Sequence, residues 1–294
     1  MPFHKRFETE EVIDLPEFLR IAEGVDVSCT DGMLSLAEPF TKLGNNRTFL
    51  AEYFAEYIKQ AVVVNPDGLV LSQSVVLSRN EKFYIRANVW LPENDMTEKE
   101  SLLFAYNQAH DHNFDLLSLA YCGDGYYTDC FEYDYESVEG YVGELVEINP
   151  LGRIQHTCGD TLLYVCNKDI HFQRPPVNPS VTLNLIPLAN QNGLRDQYFF
   201  NIADVDSVTA TIYGYPTTII EQRRSLFEIA KHFADDKIVK IFIGLAEKHP
   251  CRRTRYEALR SLKTCNLEAH NEMCMKLRDD NAQIIRTYVE SSLL

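Results

Sequence analysis

The chain has 294 residues, of which 45% are hydrophobic and 24% are charged, and its formal net charge at pH 7 is -15. This composition is typical of globular proteins, and the negative charge argues against binding to nucleic acid or to an anionic membrane surface. No apolar run approaches the roughly 20 residues that a membrane-spanning helix needs.

The start of the chain and its cysteines indicate a cellular compartment. Residues Met1 to Glu8 are polar and lack the apolar core of a signal peptide. The eight cysteines show no Cys-X-X-Cys spacing, which argues against a zinc finger or a thioredoxin motif. We therefore expect a cytoplasmic protein whose cysteines are free thiols.

The first part of the chain changes from helical to strand-like spacing. Apolar residues recur at helical intervals between about residues 9 and 62, with one helix ending near Gly24 and another beginning after Asn46. β-branched and aromatic stretches follow at 69–71, 75–77 and 83–90. This pattern predicts N-terminal helices and then strands.

Residues 110–213 contain many short strand-like stretches with Gly, Asp and Asn between them. We predict strands at 114–121, 127–133, 143–148, 153–157, 161–166, 169–173, 180–187, 197–202 and 207–213. Short strands at nearly even spacing are typical of a sandwich or a barrel of the jelly-roll kind.

The last part of the chain returns to helical spacing. Helices are predicted at 217–233, 236–248, 251–263, 266–279 and 281–292. Arg255 and Leu262 recur as Arg286 and Leu293, which resembles HEAT-like repeats, and a small helical bundle explains the pattern equally well. The predicted fold class is α+β, with a helical segment (1–66), a β-barrel (67–215) and a C-terminal α-helical module (216–294).

Three histidines give the sequence its clearest chemical signal. His110 and His112 are two residues apart, so on an extended strand both imidazoles point to the same side. His171 lies in a second strand-like stretch, Ile170 to Gln173. Imidazoles brought together from two strands can form a metal site.

The region from about residue 68 to 213 resembles the cupin superfamily. Two motifs carry the resemblance: the pair His110 and His112, and Gly159-Asp160 followed by a strand and by His171. The resemblance implies a double-stranded β-helix barrel in which His110, His112 and His171 bind a metal ion.

The sequence departs from the cupin pattern at one position. The glutamate that often follows the histidine pair is replaced, since Leu116 and Leu117 occupy the expected places. Asp115 is one residue early, and on a strand it would face away from the two histidines. We therefore expect a site of three neutral histidines, with Asp115 outside it.

Three histidines with open coordination positions suit Fe(II), and also Zn(II), Ni(II) or Cu(II). Such an iron site resembles the cysteine/thiol dioxygenase branch of the cupins, in which the substrate chelates the metal. Some members of that branch have a cysteine five residues after the second histidine, where this sequence has Leu117. The resemblance therefore implies a metal, with Fe(II) favoured, but no thiol substrate.

Four other residues are candidate substrate contacts: Arg86, Tyr121, Tyr164 and Gln173. Gln173 should share the strand face of His171, and Arg86 would reach a carboxylate if it points into the barrel. The sequence identifies no catalytic residue, and it has no P-loop, dinucleotide fingerprint or Gly-X-Ser-X-Gly elbow.

These features lead to three functional hypotheses. The first is a mononuclear non-haem iron dioxygenase or oxygenase that acts on a small molecule. The second is a non-catalytic cupin-type ligand-binding or scaffold protein whose helical tail docks a partner. The third is a zinc- or nickel-dependent isomerase or hydrolase on the same barrel. Under each hypothesis the chain could also form a homo-oligomer.

Overall fold

The structure, a computed structural model, describes residues 2–63, 73–96, 104–188, 194–216 and 219–293. The chain forms two compact units, each built from several segments. The first unit comprises Met1–Tyr133, Ile148–Gly193 and Ile202–Val208. The second comprises Asp134–Glu147, Leu194–Asn201 and Thr209–Leu294.

The first unit combines helices with antiparallel strands. Its helices are α1 (Leu15–Glu23), α2 (Thr30–Ser35), α3 (Ala37–Asn45) and α4 (Phe49–Val63). Its strands are β1 (Phe3–Arg6), β2 (Ser74–Arg79), β3 (Phe83–Trp90), β4 (Ala109–His110), β5 (Leu116–Cys122), β6 (Tyr126–Glu132), β8 (Asn149–His156), β9 (Asp160–Tyr164), β10 (Asp169–Gln173) and β11 (Ser180–Pro187).

The strands of this unit form two antiparallel sheets. The first sheet has the order β1-β9-β5-β11-β3-β2, and the second contains β4-β10-β6-β8. The chain passes between the sheets at β5–β6, β8–β9, β9–β10 and β10–β11. Repeated passage of this kind is the topology of a jelly-roll, or double-stranded β-helix, barrel.

One of these passages depends on glycine. Gly123 and Gly125, between β5 and β6, have φ angles of 87° and 76°. A Cβ at Gly125 would lie 2.0 Å from the carbonyl oxygen of His156. Only glycine fits there, because other residues avoid positive φ and would clash with this backbone atom.

The first sheet presents different side chains on its two faces. Odd-numbered residues of β3, β5 and β11 pack against α1, α3 and α4, including Ile85, Leu119 and Leu183. Even-numbered residues of the same strands face the second sheet, as Arg86 and Ser118 do. Because successive strand residues point to opposite faces, these strands serve a hydrophobic core on one side and a polar cavity on the other.

The helices that cover the first sheet have local sequence signals. The Asp14 side chain accepts a hydrogen bond from Glu17 N and caps the start of α1, and Gly24 follows its end. Phe18 on α1 and Phe40 on α3 are fully buried, with ring centroids 5.1 Å apart. The N-terminal helices therefore share one core with the sheet.

The second unit contains a small sheet and a helical module. Its strands β7 (Leu145–Glu147), β13 (Thr209–Gly214) and β12 (Phe199–Asn201) are antiparallel neighbours in that order. Its helices are α5 (Ile219–Ala230), α6 (Asp236–Lys248), α7 (Arg252–Cys265), α8 (Leu267–Lys276) and α9 (Gln283–Leu293). They bury a core of their own around Phe242, Leu259 and Ile285. The HEAT-like repeat stays a prediction.

The α+β fold class predicted from the sequence is confirmed, with antiparallel sheets and C-terminal helices. The strand predicted at 69–71 and the boundary after residue 66 lie outside the described residues, and the three-segment division stays a prediction. Strand β1 is polar and was not predicted. Among the described helices, none has the length and apolarity to cross a membrane.

We predict that Phe40→Ala destabilises the first unit by about 3–5 kcal/mol, because it leaves a cavity where α3 meets the sheet. Ile58→Ala on α4 is the control, since that side chain is 60% exposed and should change stability by less than about 0.5 kcal/mol. Denaturant unfolding measures both. If Phe40→Ala and Ile58→Ala lowered the free energy of unfolding equally, this would contradict a core shared by the helices and the sheet.

Candidate metal centre

Three histidines converge inside the barrel of the first unit. One ring nitrogen from each of His110, His112 and His171 lies within 4.8 Å of the others. The Nε2 atoms of His112 and His171 are 3.0 Å apart. His110 and His171 are direct neighbours across the β4–β10 pairing, which explains how residues far apart in sequence meet.

The ring of His110 is held in one orientation by the backbone. Its Nδ1 lies 2.8 Å from the carbonyl oxygen of Gln108, an acceptor, so Nδ1 carries the proton. Its Nε2 is therefore left with a lone pair. Histidines that bind metals are commonly oriented by this kind of hydrogen bond through the other nitrogen.

Burial keeps the three imidazoles neutral. Desolvation lowers the pKa of His110, although the hydrogen bond to Gln108 partly opposes this. Desolvation places the pKa of His112 and that of His171 well below the usual value, and the neighbouring histidines lower both further. The three imidazoles are therefore uncharged at neutral pH, which is the state that a metal ligand requires.

The two aspartates near the histidine pair are engaged elsewhere. Asp111 is fully buried and accepts a hydrogen bond of 2.6 Å from the Tyr133 hydroxyl. Asp115 accepts hydrogen bonds of 2.8 Å from Thr30 Oγ1 and from Cys166 N. Neither carboxylate belongs to the metal-binding groups found among the described residues.

The physical reason for the position of Asp115 differs from the one expected. The sequence predicts a strand through Asp115, with the side chain on the opposite face from the histidines. In the structure, β4 ends at His110 and β5 starts at Leu116, so Asp115 lies in the connection between them. Its hydrogen bonds, rather than strand alternation, hold it away from the cluster.

The histidine cluster opens onto a cavity of about 320 Å³. Fourteen residues line the cavity: Gln73, Ser74, Arg86, Asn88, Trp90, Ala105, His110, His112, Leu116, Ser118, Tyr126, His171, Gln173 and Asn184. None of these described residues is an aspartate or a glutamate, so the side chains that line the cavity bring no negative charge.

Arg86 is the charged residue of this cavity. Desolvation lowers the pKa of its guanidinium, and the influence of Tyr84 opposes this. Its Nε has no hydrogen-bond partner among the described residues. The same holds for the side-chain oxygens of Asn88 and Gln173. No described residue serves as a counterion for this desolvated cation, which is costly, so the cavity is suited to a ligand that brings an anionic group.

The four predicted substrate contacts fall in different places. Arg86 and Gln173 line the cavity. Tyr121 is outside it: its ring packs against Phe49, and it belongs to the core between the helices and the first sheet. Tyr121 has the same strand parity as Leu119, so it points to the helices, and this corrects the expected position.

Tyr164 faces the barrel interior but does not line the cavity. Its ring centroid is 4.1 Å from that of His171, and its hydroxyl lies 3.2 Å from Thr128 Oγ1. Desolvation raises its pKa well above the usual value, so the hydroxyl stays protonated. In this position the Tyr164 ring packs against the ring of His171.

Sequence reasoning missed several cavity residues. Asn88 and Trp90 follow Arg86 at spacings of two on β3, so strand alternation could have identified them once Arg86 was placed inside. Ser118 is also in the cavity. No sequence pattern distinguishes it from the other serines of these strands.

The donor set fits a divalent transition metal. Bonds of about 2.0–2.1 Å from a metal to histidine nitrogens place neighbouring ligand atoms roughly 3 Å apart. The separation of 3.0 Å between the Nε2 atoms of His112 and His171 matches this value. At this distance one ring can donate a hydrogen bond to the other, and the same spacing suits two ligands of one metal ion.

No protein-family model matches the sequence, and no curated protein matches it. Solved structures match at low identity. A cupin domain from Bordetella pertussis Tohama I is 14% identical, with 43% of this chain and 99% of that chain covered and a TM-score of 0.24. Hydroquinone 1,2-dioxygenase from Sphingomonas sp. TTNP3, with 4-hydroxybenzoate bound, is 15% identical, with coverages of 50% and 80% and a TM-score of 0.27.

A structure described as DMSP lyases RdDddP and RnDddQII is 13% identical, with a TM-score of 0.24. The match covers 40% of this chain, and this chain spans only 47% of that chain. TM-scores this low carry no conclusion about activity. The function proposed below therefore depends on the residues of this chain.

We predict that Asp115→Ala lowers stability by about 1–3 kcal/mol, because it leaves Thr30 and the Cys166 amide without their acceptor, and that it does not change metal content. Asp115→Asn should lower the stability less than Asp115→Ala, because the asparagine side chain keeps one oxygen acceptor. Denaturant unfolding and elemental analysis give the two readouts. A variant that loses metal at unchanged stability would show that Asp115 is a ligand.

Proposed function

We propose that this chain is a mononuclear non-haem Fe(II) oxygenase that acts on a small molecule carrying a carboxylate. One observation carries the proposal: three neutral imidazoles, of which those of His110 and His171 are buried, face the same cavity as a largely desolvated guanidinium that has no counterion among the described residues. The imidazoles are suited to hold a metal, and the guanidinium is suited to hold an anion beside it.

The donor set would leave the metal with its full positive charge. His110, His112 and His171 are neutral, and the described lining contains no carboxylate. An Fe(II) ion in this site would supply open positions for O2 and for substrate donor atoms. Zn(II), Ni(II) and Cu(II) accept the same ligands, so the choice of iron is part of the proposal.

Arg86 would orient the substrate. A guanidinium forms strong, directional hydrogen bonds with a carboxylate, and burial strengthens their attraction. The free oxygens of Asn88 and Gln173 are acceptors, so they favour a substrate that also has a hydroxyl, amino or thiol donor. The proposed substrate class is therefore a small acid with a hydrogen-bond donor.

Other lining residues would exclude water and supply hydrogen bonds. Trp90 and Leu116 provide apolar walls, and the Trp90 Nε1 donates to Thr182 Oγ1 at 2.9 Å, which fixes the indole. Desolvation raises the pKa of Tyr126, so its hydroxyl stays protonated at neutral pH. Tyr126 would therefore act as a hydrogen-bond donor to the substrate and not as a base.

A non-catalytic ligand-binding protein is the second candidate. Arg86 supports it, because a buried guanidinium can hold an anion whether or not a reaction follows. Oxygen consumption separates the two candidates. The oxygenase requires O2 uptake that depends on both iron and a small carboxylate, whereas the binding protein would bind the carboxylate without O2 uptake.

We predict that His112→Ala and His171→Ala each abolish metal retention, because a site of two imidazoles holds a divalent ion far more weakly than a site of three. Elemental analysis of protein purified without added metal measures this, and it should find iron in the wild type. His232→Ala, at an exposed histidine of the second unit, is the control and should keep the metal. Wild-type iron content in both site variants would refute the site.

We predict that the holoprotein binds small carboxylates at least about 10-fold more tightly than the matching amides, because a hydrogen bond to a charged group contributes about 1.5–3 kcal/mol. Arg86→Gln should remove this preference, and Arg79→Gln, at an exposed arginine of β2, should preserve it. Calorimetric titration with paired acids and amides measures it. A preference that survives in Arg86→Gln would contradict the proposed role.

A further inference from the structure

A second group of metal-binding side chains lies in the first unit, where β8 is connected to β9. It consists of His4 on β1, His156 at the end of β8 and Asp160 at the start of β9. One donor atom from each lies within 4.8 Å of the other two. His4 Nε2 is 3.6 Å from Asp160 Oδ2, so the imidazole and the carboxylate are direct neighbours.

His156 has a ring nitrogen that the protein does not use. The residue is fully buried, and its Nε2 lies 3.2 Å from Ser118 Oγ. Its Nδ1 is buried and has no hydrogen-bond partner among the described residues. Leaving such a polar atom without a partner is costly, so Nδ1 is expected to have a partner that the described residues do not supply.

We propose that His4, His156 and Asp160 bind a zinc ion at a site separate from the three-histidine cluster. The ligands would be His4 Nε2, His156 Nδ1 and one oxygen of Asp160, with water in the fourth position. Two imidazoles and one carboxylate in tetrahedral geometry are a ligand set that Zn(II) takes in proteins. The Ser118 hydroxyl at Nε2 of His156 would orient the ring, as hydrogen bonds do for other metal-binding histidines.

The protonation states of His156 and Asp160 are compatible with the metal site that the geometry indicates. Desolvation lowers the pKa of His156 to about 3, so its imidazole is neutral at neutral pH. For Asp160, desolvation favours the protonated form, but hydrogen bonds from Thr157 and the charge of Arg6 outweigh it, and the pKa is lowered. His156 therefore offers a lone pair, and Asp160 offers a negative charge.

Asp160 still has capacity for a metal ion. Its Oδ2 accepts hydrogen bonds from the Thr157 amide and hydroxyl, at 2.8 Å and 2.7 Å, whereas its Oδ1 accepts one from Arg6 Nε at 2.9 Å. A carboxylate oxygen can accept two partners, so Oδ1 has one position left. The Arg6 charge opposes a cation, but its side chain is 56% exposed, and solvent screening weakens the repulsion.

This ion would connect three parts of the barrel. His4 pairs with Leu162 across the β1–β9 ladder, so the ion would fasten the N-terminal strand to the β8–β9 connection. His156 would link the ion to Ser118, which lines the cavity of the three-histidine cluster. The site does not depend on the proposed oxygenase function.

Zinc titration of metal-free protein, followed by calorimetry, tests the site. In the double variant His110→Ala/His112→Ala, which lacks the first cluster, we expect one zinc equivalent to bind. Adding His4→Ala to this double variant should abolish the binding of that zinc equivalent, whereas adding His232→Ala should leave the binding unchanged. His4 lies on the surface with its side chain 31% exposed, so its replacement should leave folding intact.

Two further readouts keep the test independent of the double variant. His4→Ala in the otherwise native protein should bind one zinc equivalent fewer than wild type. Co(II) in the second site should give the absorption of a four-coordinate ion, lost with His4→Ala. If His4→Ala binds as many zinc equivalents as wild type, or if the double variant binds none while folded, the site is refuted.

Discussion

Strand alternation in the first sheet is the constraint on which the barrel depends. The sheet has helices on one face and the second sheet on the other, so alternate side chains of each strand lie in two different environments. Ile85, Leu119 and Leu183 point to the helices, and Arg86 and Ser118 point inward. The apolar face provides burial energy, which allows the inner face to carry polar groups that contribute little to stability.

Charge is the second constraint, and it follows from the first. The inner face places a guanidinium and three imidazoles, all largely desolvated, in a cavity whose described lining has no carboxylate. Burial keeps the imidazoles neutral, so they act as donors of lone pairs and not as cations. Arg86 then remains as a positive charge near the proposed metal. An anionic ligand compensates both charges, which is why we connect the metal proposal with a carboxylate substrate.

The sequence predicted the parts of the fold that local patterns determine. Helix α1 follows from Asp14 and Gly24, and the barrel strands follow from β-branched stretches between turns. The three histidines were predicted to meet because the cupin motifs place them on strands. Strand β1 was missed, since its polar residues become a strand only by pairing with β9, a partner far away in the sequence.

The orientation of side chains was harder to predict. Strand alternation does not show whether Arg86 or Tyr121 faces inward, because it determines which residues share a face but not which face is inside. The way the strands pair and pack in the folded protein determines which face is inside. Tyr121 shares a face with Leu119, and both residues pack against the helices. Asp115 was expected to lie outside the histidine cluster because of strand alternation. In the structure its hydrogen bonds to Thr30 and Cys166 hold it there, and the sequence does not indicate these bonds.

The central claim is that three neutral histidines hold one metal ion without a carboxylate or a thiolate from the protein. X-ray absorption at the iron edge of the holoprotein tests it most directly, because it counts ligands around iron alone. The account predicts three imidazole nitrogens at about 2.1 Å, with oxygen or nitrogen donors in the remaining positions. A sulfur atom in the first coordination shell, or fewer than three imidazoles, would contradict it.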